Sequence, residues 1–303
     1  MSTVVVLAGG TGGAKLARGM LDVVGEDLVV IANTADDIEI HGAYVSPDPD
    51  LCTFWLADRI DERGWGLKDD TFAAMDMLRE LGEDVWFNLG DRDLAIGLHR
   101  ARRLRDGARL TDALAELGTA LGLRARVLPM SDAPVRSWVL TGEDWTSFQE
   151  FMIRLRACGP VDGMELRGIE AAAPPAEALE AIASARAIVV GPSNPVISIR
   201  PILDVPGMRD ALCASPAKVV AVSPLVDGAV VKGPTEAFMA WAGCELTATG
   251  VAGYYGDILD GMVSDEREAG GLPVAVMDTL MADAAARERV ARETLRFAEA
   301  LAS

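Results

Sequence analysis

Histidine is almost missing from this 303-residue chain, which has only His41 and His99, far apart in sequence. Neither makes a metal motif, and a Ser-His-Asp hydrolase would lack its nucleophile signature, so both read as packing or surface residues. Cysteine is nearly as scarce. Cys52, Cys158, Cys213 and Cys244 are widely separated, with no C-x-x-C pair for zinc and no dense spacing for a disulfide scaffold, which suits a reducing cytosol. Basic residues are outnumbered, 28 Lys plus Arg against 46 Asp plus Glu, for a formal net charge of −18. That balance argues against a nucleic-acid partner and leaves phosphate binding to small ligands held locally. Long apolar runs are absent too. The amino terminus enters only a short apolar run with no basic segment before it, so no export signal or membrane partner is expected and a cytoplasmic location is.

What is present is a half-apolar chain with ample capacity for a buried core, enough for one large α/β domain or two modest ones. Residues 3–8 form a β-branched run, followed by Gly9-Gly10-Thr11-Gly12-Gly13 and a helical stretch in which Leu16, Met20 and Leu21 share one face. A second apolar run, 28–32, closes a βαβ unit of about thirty residues. The expected fold is α/β: a Rossmann-like, three-layer core with a mainly parallel sheet, spanning 1–50 and 124–303. A helical insertion is expected over 51–123, where strand-like runs nearly vanish. Thr111 with Asp112 supplies a cap for its last helix. Later strands are expected at 126–128, 135–140, 187–190 and 219–223, with a last buried one around 274–277; helices are expected near 147–156, 236–242, 251–257 and 287–301.

In a parallel sheet, ligands sit at the carboxyl ends of strands, and Gly9 to Gly13 lies at such an end. Glycines there let a phosphate approach amides while the next helix presents its unsatisfied N–H groups; a tight turn without ligand is the alternative. A Walker A loop is excluded because Ala14-Lys15-Leu16 stands where glycine, lysine and hydroxyl are required. A dinucleotide fingerprint fails at Lys15, where a third glycine belongs, and at Asn33, where an acid belongs. Lys15 is open to two readings, a phosphate partner or a solvated helix lysine.

The second strand ends at Asn33-Thr34-Ala35-Asp36-Asp37, and Asp50 follows in Ser46-Pro47-Asp48-Pro49-Asp50. Two acid-bearing loops leaving one strand end suit Mg²⁺, which takes one or two carboxylates plus substrate phosphates. Asx turns and an Asp50 helix cap are the competing account. In Asn88-Leu89-Gly90-Asp91-Arg92-Asp93 a lone arginine sits between two acids, either to grip an anion or carbonyl or to form a structural salt bridge with a capping acid. Gly191-Pro192-Ser193-Asn194-Pro195 makes a pre-restricted strand-end loop that can read a base or phosphate, or simply turn the chain. Trp55, Trp65 and Trp86 are expected in the core, although flat rings would also suit a ring ligand.

In order, the segments at 7–13, 33–37, 46–50, 89–93, Leu128-Pro129-Met130-Ser131-Asp132 and 191–195 closely resemble the 2-phospho-L-lactate transferase family, with Val222-Ser223-Pro224 and Gly253-Tyr254-Tyr255 extending the likeness. The resemblance implies a Mg²⁺-dependent transferase of coenzyme F(420) biosynthesis. Such an enzyme joins the ribityl hydroxyl of 7,8-didemethyl-8-hydroxy-5-deazariboflavin (Fo) to a phosphorylated three-carbon acid carried as its guanosine diphosphate ester, releasing GMP. By this resemblance Gly9, Gly10, Thr11, Gly12 and Gly13, with Gly191, Pro192, Ser193 and Asn194, hold the nucleotide. By the same resemblance Asp50 and Arg92 contact Fo, while the two acid-bearing loops themselves make Asp37 and Asp50 the candidates for placing Mg²⁺ and Asp50 the candidate to orient the hydroxyl or accept its proton. The donor is phospholactate or a close analogue such as phosphoenolpyruvate, and a homodimer is the default assembly. The alternative is a nucleotide-binding or regulatory protein of the same fold that transfers nothing.

Overall fold

A computed structural model describes residues 3–230 and 233–302; the remaining positions of the expected core span, 1–2, 231–232 and 303, lie outside it. Seven strands form one sheet: β1 (Thr3–Ala8), β2 (Leu28–Ala32), β3 (Arg126–Pro129), β4 (Ala185–Val190), β5 (Lys218–Val222), β6 (Gly261–Ser264) and β7 (Val274–Val276). Their spatial order is β7-β6-β5-β4-β1-β2-β3, and every pair is parallel. Strands 3-2-1-4-5-6 follow the doubly wound dinucleotide-fold order, extended by β7. The strand order reverses between β1 and β4, so the tips of these two neighbours flank the crevice in which such folds bind ligands.

Alternation along the strands divides the core in two. Val5, Leu7, Val29, Ile31, Ile188 and Val219 face one side, where the helices Ala176–Ala183, Thr235–Trp241 and Ala248–Tyr255 pack with Ile182, Phe238 and Val251. Val4, Val6, Val30, Val189 and Val220 face the other. There α1 (Gly10–Val24), α2 (Pro47–Leu56) and the helix Ala284–Leu301 contribute Leu16, Met20, Cys52, Leu56 and Leu295. Burial on both faces explains why these strands read as unbroken apolar runs.

Between β2 and β3 lie the hairpin Ile38–Ile40 with Ala43–Val45, then α2, α3 (Ala73–Glu80), α4 (Asp91–Arg105) and α5 (Leu110–Ala120). The helix α2 begins at Pro47, ahead of residue 51. Two acids cap the insertion reciprocally. Asp70 accepts the Arg92 amide at 2.9 Å at the start of α4, while Asp91 accepts the Ala73 and Ala74 amides at 3.1 and 2.9 Å at the start of α3. At α5, Asp112 accepts the Arg109 amide at 3.3 Å, whereas Thr111 is not the cap and instead gives its amide and hydroxyl to Asp132, each at 2.8 Å.

Three expectations are corrected. The strand at 136–141 joins Asp144–Ser147 and Gly163–Arg167 in a separate antiparallel sheet. The last strand, β7, is a half-exposed sheet edge with Val276 50% accessible; the buried position belongs to β6, between β5 and β7. Trp55 and Trp86 pack against core clusters, but Trp65 is exposed with the Arg63 guanidinium 4.3 Å over its ring. No helix among the described residues is long and apolar enough to cross a membrane.

Candidate active site at the strand tips

The glycine turn leaves β1 and starts α1 with Gly9 as N-cap. Gly10 adopts φ +61°, a backbone that L side chains rarely take, although a Cβ there would meet nothing nearer than 3.9 Å. Gly12 is required for the opposite reason: a Cβ would lie 2.0 Å from the Pro192 carbonyl oxygen. The glycines thus let the tip of β1 touch the 191–194 loop at the tip of β4, a contact fastened by the Ser193 hydroxyl donating to the Gly9 carbonyl. At the start of α1 the Thr11 and Gly12 amides have no intrahelical acceptor.

Above this contact lies a cavity of about 350 Å³. Gly9, Gly10, Thr11, Gly12 and Lys15 form one wall, and Pro192, Ser193, Asn194, Ile197 and Ser198 another; Ser223 and Pro224 follow β5, and Thr279 to Ala282 follow β7. Phe148 and Met152 add apolar surface. The loops of several strand tips therefore converge where the fold's topology puts a ligand. Asn194 does structural work here: its side chain accepts the Val196 and Ile197 amides at 2.9 and 3.2 Å and donates to Thr235 at 3.2 Å.

Two carboxylates line this cavity, Asp36 and Asp48, and neither was among the expected metal or catalytic residues. Asp48 accepts the Gly10 amide at 2.7 Å, and the Asn33 amide donates to Asp48 at 3.0 Å and Asp36 at 3.1 Å. Burial pushes Asp48 up to about 6, against the Gly10 and Asn33 hydrogen bonds; burial and the neighbouring Asp48 hold Asp36 well above the carboxylate range.

Asp37 and Asp50, the expected Mg²⁺ pair, do not line the cavity. Asp50 is not a cap either: Ser46 is the N-cap of α2, Pro47 opens it, and Asp50 lies inside its first turn. Residues two apart on a helix point roughly 200° apart. Asp48 consequently faces the glycine turn while Asp50 faces α4, where Arg100, 1% exposed, pairs with both its oxygens and also donates to the Tyr44 carbonyl at 3.0 Å. Asp37 accepts the Ser46 hydroxyl at 2.8 Å, and burial pushes it up to about 7 despite the nearby Arg136 and Arg100 guanidiniums. It lines a second cavity of about 230 Å³ with Arg136, Trp138 and Gln149; Asp36 and Phe148 belong to the walls of both cavities. Arg92 is exposed and lines neither. Its guanidinium donates to the Lys68 carbonyl at 3.3 Å rather than pairing with Asp91 or Asp93.

Among the described residues no group of three or more His, Cys, Asp or Glu is placed to hold a metal ion by itself. One donor on the cavity wall nevertheless suits a hard cation that completes its shell with phosphates: Asp36 Oδ1 is buried without a hydrogen-bond partner, and the crowded Asp36 and Asp48 carboxylates would be relieved by positive charge. Sequence reasoning missed Asp36, Asp48, Arg100 and Arg136. Pro47, a strong first-turn residue, was the available sign that the helix starts early and that Asp48, not Asp50, turns toward the glycines.

The family model described as 2-phospho-L-lactate transferase CofD matches residues 4–295. The chain is 42% identical over 266 residues to the 2-phospho-L-lactate transferase of Methanosarcina mazei, covering 87% of each. It is 40% identical over 313 residues to the phosphoenolpyruvate transferase of Kitasatospora aureofaciens, covering 98% of each. A crystal structure of a UPF0052-family protein from Bacillus halodurans shares the fold, with a TM-score of 0.59 at 18% identity over 97% of this chain and 99% of that one. With a parallel-sheet cavity at the expected crevice and a match running almost end to end, the chain belongs to the 2-phospho-L-lactate transferase CofD family.

Proposed function

We propose that the protein transfers a phosphorylated three-carbon acid, 2-phospho-L-lactate or phosphoenolpyruvate, from its guanosine diphosphate ester to the ribityl hydroxyl of Fo, releasing GMP in coenzyme F(420) biosynthesis. The observation that carries this reading is the single cavity walled jointly by the glycine turn, the 192–194 loop, Asp36 and Asp48. Its apolar surfaces suit a base, and the start of α1 suits a phosphate.

In the proposed step the ribityl oxygen attacks the phosphorus bearing the three-carbon acid. A new P–O bond forms, the P–O bond to GMP breaks, and the hydroxyl proton passes to a carboxylate. Asp48, held between neutral donors and set at about 6, is better matched to take that proton than Asp50, both of whose oxygens are occupied by a guanidinium. Asp50 and Arg92 remain the proposed contacts to Fo, with Arg100 fixing Asp50. The α1 amides stabilise charge on the departing phosphate. Asp36, with its unpartnered buried oxygen, would hold Mg²⁺ together with the donor phosphates, and bound Mg²⁺ supplies neutralising charge.

The test combines purified protein, Mg²⁺, Fo and each guanylylated acid, following GMP release and the mass of the deazaflavin product. Product with one or both donors is expected. Guanosine nucleotide binding without GMP release from any donor would support a binding protein instead.

A further inference from the structure

The sequence left Lys15 open between a phosphate partner and a solvated lysine, and its surroundings favour the first. It is partly buried, lines the main cavity, and is the only cationic side chain to do so among the described residues; the other charged groups there are Asp36 and Asp48. Helical side chains lean toward the helix N-terminus, so a lysine in the second turn of α1 reaches back toward the amides of Thr11 and Gly12. Its ammonium lies 3.4 Å from the Met281 carbonyl, on the opposite loop of the same cavity, and 5.9 Å from the centre of the Trp55 ring. A diphosphate ester entering beside two carboxylates needs positive charge nearby, and one fixed ammonium at the helix start supplies it.

We propose that Lys15 binds the diphosphate of the guanosine nucleotide, acting with the glycine-turn amides in a sequence context that matches no Walker loop. This deepens, and rests on, the reading of the cavity as a guanosine-nucleotide site. Lys15 grips the charge of the phosphates and makes no contribution to recognising the nucleoside. The lysine therefore separates affinity for GDP from affinity for guanosine.

The experiment is calorimetric titration of the full chain with GDP and with guanosine, in Mg²⁺, for the wild type, Lys15→Met, Lys15→Gln and Lys15→Arg. Both neutral variants should lose at least about tenfold in GDP affinity, with a shallower salt dependence, while guanosine affinity is unchanged and reports an intact pocket. Lys15→Arg should stay within about threefold of wild type, because it keeps the charge. GDP binding to the neutral variants as tight as to wild type would overturn the role of Lys15, as would an equal loss in Lys15→Arg. Failure of the wild type to bind either compound would instead remove the nucleotide reading, and the proposal with it.

Discussion

The first turn of α2 holds two carboxylates in opposite surroundings. Asp48 turns toward the glycine turn, where only neutral donors, the Gly10 amide and the Asn33 side chain, meet it and burial raises its affinity for a proton. Asp50, two residues on, turns toward α4 and meets the buried Arg100 guanidinium with both oxygens. One side is arranged to gain a cation or a proton; the other already has its positive partner. The division of labour follows from helical phase alone, since neither the residue type nor the local sequence differs much between the two positions.

Arg100→Ala attacks the satisfied side and should have the largest effect. Leaving Asp50 without its guanidinium should cost about 3–5 kcal/mol, read as a lowered urea midpoint, with Arg100→Lys less damaging. Asp48→Asn attacks the unsatisfied side. GMP release should fall about 100-fold, equivalent to about 2.7 kcal/mol, while the melting temperature holds or rises because a crowded buried acid is replaced by an amide. Equal losses of turnover and stability in both variants would erase the contrast.

Gly12→Ala should sharpen the contrast by disturbing only the Asp48 side. Its Cβ would meet the Pro192 carbonyl, so the two strand tips must move apart, at about 1–3 kcal/mol. GDP affinity should drop while the Arg100–Asp50 pair survives. The last effect is spread over several pH units and appears only as a slope. Asp37 titrates near the usual 3.8 when unfolded and about 7 when folded, so the folded chain keeps a proton that the unfolded chain has lost. The group's contribution is most favourable below about pH 4 and falls as pH rises toward 7. The melting temperature of Asp37→Asn, measured against pH in the absence of Mg²⁺, should therefore fall less steeply than that of wild type over that window.

The parallel core was readable because burial on both faces leaves unbroken β-branched runs: β1 and β2 occupy the residues expected of them, and the glycine turn stands at the expected strand tip. Where strands are short or one-sided, the signal fades. Strand β6 is four residues of Gly-Met-Val-Ser, and Asp144–Ser147 carries only one large apolar residue, Trp145, so neither stood out as a run. The glycines and the 191–195 loop were recognised, but their main cause, the close contact between two strand tips, is a long-range property. The acids were harder still. Reading residues 46–50 as loop made Asp50 the candidate metal and catalytic acid; with the helix starting at Pro47, it is Asp48 that meets the glycine turn. Arg100 lay hidden among the other arginines of α4 because its burial depends on Tyr44 and Asp50, elements distant in sequence.

A crystal structure with GDP and Mg²⁺ bound would decide where the nucleotide sits. The diphosphate should lie over the amides of Thr11 and Gly12, with Asp36 on the cation's side and the guanine among the walls formed by residues 192–198. A diphosphate seated instead in the Asp37–Arg136–Trp138 cavity, leaving the glycine turn empty, would contradict that placement.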